Sequence, residues 1–252
     1  MSWSFLSCRN PRFDKLIRMS KSAVVSRSTR VLAAITLACA GLDLVVLAGF
    51  HLIQPEIDPL TSATSEYVHG KAGAMSSVTS AAVGLGAVSL AVAVWRITVT
   101  VSARVGAGLL AVFGLAKLAQ SFFPIDAGGA TTTGLMHNLL GNLAFLVLPV
   151  AAILITPAAA RACGRGQPGW WPRLAAWLIV LTSVLVLVGD GVGLFGLAQR
   201  IYLVSAALWT ALVASWLWSA RSRDQAAQNQ VGDAGQNSGG QQAPQGPSGS
   251  GL

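Results

Sequence analysis

The sequence predicts an all-α fold, a polytopic membrane protein whose six transmembrane helices form one bundle with both termini cytoplasmic. Three observations lead there. Of 252 residues, 53% are hydrophobic and only 10% are charged, whereas soluble domains carry about 25% charged residues. Six apolar stretches are long enough, or nearly so, to cross roughly 30 Å of hydrocarbon. Lys and Arg, which bring the net charge to +8, sit in short segments between those stretches as a topology signal does. That distribution argues against nucleic acid as a partner and for the lipid bilayer. Eight Trp and 27 Gly suit the aromatic belts and small-residue packing of membrane helices.

The spans are read at residues 31–53, 72–95, 105–123, 135–155, 174–193 and 196–218. Residues 1–30 form a basic arm in which Phe13, Leu16 and Ile17 make a short amphipathic turn, suited to an anionic leaflet or to a plain topology anchor. TLACAG, in the first span, resembles a lipoprotein cleavage site. However, Thr36 stands where Leu is needed and the apolar run continues past Cys39 to Phe50, which favours a retained anchor. The second link holds Arg96 and Arg104, the fourth Arg161, Arg165 and Arg173, and the tail opens on Arg221 and Arg223. Against these, the opposite side has Lys71, Arg200 and Lys117. The positive-inside rule then makes both termini cytoplasmic in a cell membrane. Residues 220–252 are Gln, Gly, Asn, Ser and Pro with almost nothing apolar, a disordered tail that cannot offset its ordering entropy. In the second span Gly73, Ser77 and Ala81, with Ser80 and Gly84, recur at helix spacing and allow close backbone approach. Cys8, Cys39 and Cys163 show no metal-type spacing.

The outer side gathers the titratable residues. All three histidines, His51, His69 and His137, fall there with Glu56, Asp58, Glu66, Asp126 and Asp190. In the first outer loop Pro55 and Pro59 bracket the acidic pair, and Thr61 or Ser62 would cap a short helix containing Ser65, Glu66 and His69. Glu66 and His69 stand three apart, a metal-ligand spacing in helical bundles, and one copy of it is a weak signal. In the second outer loop Pro124 is expected to end the third helix and Thr131 to Thr133 to cap the fourth, placing His137 in its first turn. Asn138 and Asn142 share a stripe suited to interhelical hydrogen bonds or a polar ligand. At the third connection Asp190 and Arg200, next to Gln199, are set to pair across a tight turn or to clamp an anion. Two charges lie deeper: Asp43 is thirteen positions past Arg30 and Lys117 thirteen past Arg104, an equal rise of about 20 Å that permits a buried pair or an ion relay.

At HLIQPEIDP with SATSEY, at FFPIDAG with GLMHN, and at GLAQR opening the last helix, the chain resembles the bacterial and archaeal membrane family named domain of unknown function 998. The resemblance covers about residues 31 to 219, implies a six-helix bundle, and transfers no catalytic residue. Two functions compete. A non-enzymatic reading, which we favour, makes the polar mouth a site that binds or transports a small molecule, ion or lipid. The alternative is an outer-leaflet, metal-dependent hydrolase or lipid-modifying enzyme in which His51, His69 and His137 hold zinc and leave one position for water. No HExxH pair or nucleophile elbow supports the enzyme. With every His on one side, a two-haem relay is excluded and only a single haem could be held.

Overall fold

The computed structural model describes residues 25–71, 73–127, 130–188 and 193–220. Most of the basic arm, the tail and Asp190 lie outside these residues. Six helices follow one another: α1 (Arg27–Ile53), α2 (Gly73–Ile97), α3 (Val101–Gln120), α4 (Thr132–Ala162), α5 (Trp170–Val188) and α6 (Phe195–Ser219), with a 3-10 helix at Thr64–His69 between α1 and α2. All six are long and apolar enough to cross a membrane, the architecture of a multi-pass membrane protein, and the described residues contain no strand.

Hydroxyl caps set the starts of α1, α3 and α4. Ser26 accepts from the Thr29 N–H at 3.2 Å, Thr100 from Ala103 at 3.4 Å and Thr131 from Gly134 at 3.2 Å, each satisfying an N–H that the first turn leaves without a partner. α1 and α3 therefore begin four residues before the apolar runs that mark them. α3 also stops at Gln120, four residues short of Pro124. α4 is longer than its expected span, at 31 residues or about 46 Å. It carries Pro149 and Pro157 within it, since membrane helices tolerate proline where neighbours resatisfy the backbone. His137 consequently lies in its second turn.

Each helix packs chiefly against its neighbours in sequence, and α6 returns to α1, so the six close into a ring. The ring has two unlike ends. The loops after α2 and α4 and the end of α6 form an arginine end, where Arg30 donates to the Ala220 carbonyl, Arg96 to Ser28 Oγ at 3.2 Å and Arg165 to Ser219 Oγ at 3.2 Å. Trp95, Trp170, Trp171 and Trp218 lie exposed there, where a bilayer interface collects amphipathic rings. In the half towards that end the interior is packed solid around Leu90, Leu148, Ile155 and Trp209, and Trp209 Nε1 donates to Thr156 Oγ1 at 2.9 Å. α2 and α3 touch backbone to backbone: a Cβ on Gly84 would stand 2.6 Å from the Gly114 oxygen, and one on Gly114 2.8 Å from the Gly84 oxygen.

Candidate functional site

The half of the ring towards the histidine-bearing loops is hollow. A cavity of about 350 Å³ runs from the first two of those loops down to Asp43 and Lys117, lined by every helix except α5. That volume is within the range of small-molecule sites. Asp43 and Lys117 stand sixteen positions beyond the first residues of α1 and α3 respectively, and both line the floor of the cavity. They do not form a direct ion pair, however. Lys117 Nζ donates to Gln120 Oε1 at 2.5 Å, and Gln120 Nε2 donates to the His137 carbonyl at 3.1 Å, which tethers the lysine to the α3–α4 wall. Asp43, only 5% exposed, faces the cavity from α1 and feels the lysine's charge through space.

The walls divide by chemistry. α2 supplies hydroxyls from Ser76, Ser77, Thr79 and Ser80, of which Ser80 donates to the Lys117 carbonyl at 3.0 Å while Thr79 Oγ1 is buried without a partner. α4 and α6 supply amides from Asn138, Asn142 and Gln199, and α1, α3 and α4 add the rings of Phe50, Phe113 and Phe145. Gln199 also fastens the rim, accepting from Thr64 N at 2.7 Å. Ser65 and Glu66 complete the mouth, and the Glu66 carboxylate accepts the Ala63 N–H at 2.8 Å. The 3-10 helix is thus entered through Ala63, not through Thr61 or Ser62. Thr61 is held instead by Asp58, donating to Oδ2 at 2.6 Å.

Of the polar residues that sequence places on this face, Asp43, Ser65, Glu66, Lys117, His137, Asn138, Asn142 and Gln199 reach the cavity. His51, Glu56, Asp58, His69, Asp126 and Arg200 do not. Arg200 (7% exposed) turns its guanidinium into the first loop, where Nη1 donates to the Ser62 carbonyl at 2.7 Å and to Gly196 at 3.0 Å, and Nη2 to Tyr67 Oη at 3.3 Å. It acts as a strut for that loop, and Asp190, its expected ion-pair partner, lies outside the described residues. Tyr67, fully buried, stacks on Phe50 at 4.5 Å. Because its oxygen accepts from Arg200, its own proton is free for His51 Nδ1, 3.3 Å away, which leaves the His51 hydrogen on Nε2. His137 Nδ1 contacts the Phe123 carbonyl at 2.7 Å. The three histidines do not converge, and among the described residues no group of three or more His, Cys, Asp or Glu side chains could hold a metal.

Asp58 and Asp126 are loop braces. The Thr61 hydroxyl and the Leu60 N–H hold the Asp58 carboxyl below its ordinary range. The Thr131 hydroxyl at 2.5 Å and the Thr131 N–H at 2.8 Å do the same for Asp126, with His69 near enough to assist.

Sequence reasoning missed Tyr67, Gln120 and the hydroxyl wall. Ser77 and Ser80 stand in the small-residue stripe but line the cavity, Ser80 also bonding the α3 backbone, while Gly84 makes the close contact with Gly114. A cluster of four hydroxyls in the two turns below an acidic loop was the available signal.

No curated protein and no solved structure matches the chain. A family model described as "Protein of unknown function (DUF998)" matches residues 37–216, from mid-α1 to the last turn of α6, and the chain belongs to that family.

Proposed function

We propose that the protein binds a small polar molecule inside the membrane, in the cavity within its helix ring, as a non-enzymatic carrier or receptor. The carrying observation is a cavity of about 350 Å³ with a carboxylate and an ammonium at its floor and hydroxyl and amide groups along its sides. Charges at that depth in hydrocarbon are costly and mark ligand or ion sites by default. The arginine-rich end faces the cytoplasm by the positive-inside rule, so the cavity opens on the extracytoplasmic side of the cell membrane, with both termini inside. The metal-hydrolase reading lacks an equivalent support, since among the described residues no group of three or more His, Cys, Asp or Glu side chains comes together to hold a metal ion.

Cysteine accessibility tests the proposal. In a background carrying Cys8→Ser, Cys39→Ala and Cys163→Ala, Ser77→Cys and Asn142→Cys are expected to react with a membrane-impermeant thiosulfonate added outside intact cells. Ala152→Cys, in the packed half, is expected to stay unlabelled. Labelling of the first two only from the cytoplasmic side, or not at all, would overturn the reading.

A further inference from the structure

The cavity's charges are unevenly satisfied. Its one ammonium, Lys117, is already bonded to Gln120, which is itself anchored on α4. Its two carboxylates differ in the same respect: Glu66 at the mouth accepts from the Ala63 N–H, whereas Asp43 at the floor has no hydrogen bond among the described residues. Asp43 is 5% exposed, and the exposed part faces the cavity. Behind it a second cavity of about 30 Å³, lined also by Thr36 and Thr210, has room for a water or two. Of the two, the large cavity is the one with room to bring a ligand to Asp43. A carboxylate so placed gains most from a cation that donates hydrogen bonds to it. The neighbouring walls suit the same sign, because the rings of Phe113 and Phe145 line the cavity beside Phe50, whose other partner is the stacked Tyr67, and aromatic rings attract cations.

Building on the binding role proposed above, we infer that the cavity takes an organic cation, a primary amine on a short apolar body, with its ammonium against Asp43 and its body against the aromatic wall. Lys117 then repels a second cation and orients any acceptor group of the ligand towards the α3–α4 side. The hydroxyls of Ser76 and Ser77 on α2 are placed to bond polar substituents on the body.

Benzylamine, benzyl alcohol and benzoate share one ring and differ in head group, so they test the sign directly. The full chain bearing Ser77→Cys in the cysteine-free background, in lipid nanodiscs, is titrated with each, reading protection of the thiol from the thiosulfonate. Benzylamine is expected to protect at a concentration at least about tenfold lower than the alcohol, the worth of one charge-assisted hydrogen bond. Asp43→Asn is expected to bring the two within about twofold. If the alcohol or benzoate protects as well as the amine, or if Asp43→Asn keeps the amine's advantage, the cation inference is overturned while binding in the cavity stands. Protection by none of the three overturns both. Should Asp43→Asn fail to fold, Lys117→Gln serves instead: it is expected to widen the amine's advantage, and a narrowed one overturns the inference.

Discussion

Two residues show how polar side chains at a bundle's edge divide between bracing and binding. Arg200 spends its guanidinium on two carbonyls and a tyrosine hydroxyl, a fork that a lysine's single ammonium cannot reproduce. Arg200→Lys is therefore expected to speed amide hydrogen exchange across residues 58–69 by about tenfold, corresponding to one or two lost hydrogen bonds, with α2 to α5 unchanged. Equal exchange in both proteins would show that the strut is dispensable. Asp126 acts similarly on α4, and its sign with pH is fixed. Its carboxyl is held below the ordinary value of 3.8 by Thr131, so its contribution is complete above that value and disappears as pH falls through the lowered one. The melting-temperature gap between wild type and Asp126→Asn should thus be constant near neutrality and close in acid; a gap that persists in acid would contradict this role. Cys163 lies just past α4, where burial pushes its thiol up to about 11, so it is expected to react with iodoacetamide far more slowly at pH 7.5 than a free cysteine does. Which polar residues sequence could assign follows the same division. The Thr131 cap is local and was expected from the run of threonines, whereas the Asp126 brace upon it, five residues away, was not. Arg200 and Ser62 are 138 positions apart, and nothing local distinguishes a strut from an anion clamp.

At the scale of the helix, composition pointed to six spans and the structure has six helices long and apolar enough to cross a membrane, because hydrocarbon thickness sets a minimum length for each. Ends were misjudged wherever a cap, not hydropathy, decides them: Ser26 and Thr100 start helices among polar residues that an apolar window leaves out. Rotation about the helix axis was the harder quantity. The stripe on α2 is uniform in residue size, yet Ser77 lines the cavity, Ser80 both lines it and bonds the Lys117 carbonyl, and Gly84 packs on α3. The glycines of α3 make that distinction measurable. A Cβ on Gly114 would meet Val88 Cγ2 at 2.7 Å and the Gly84 oxygen at 2.8 Å, whereas one on Gly108 has nothing within 4 Å. Gly114→Ala is expected to destabilise by about 1–3 kcal/mol through overpacking. Gly108→Ala should be neutral or stabilising by up to about 1 kcal/mol through helix propensity. Thermal unfolding in a fixed detergent compares them, and equal melting temperatures would refute the close α2–α3 contact.

The whole molecule is a ring of six helices that is solid at its arginine end and hollow at the other. Its cavity was not legible in advance, because Asp43, Ser77, Lys117 and Asn142 come from four helices whose order around the ring only packing decides. Ring order has a further effect. Neighbours in space are neighbours in sequence at five of the six junctions, and at the sixth α6 meets α1 with Arg30 bonded to Ala220. Where the chain starts is then almost arbitrary. A circular permutant joining residue 220 to residue 26 through a short linker, and opened between α4 and α5 at residues 164–166, would place its new ends on the arginine side. It would also insert every helix in its original direction. The same gene rearranged should yield the same fold, with the thiol of Ser77→Cys equally accessible.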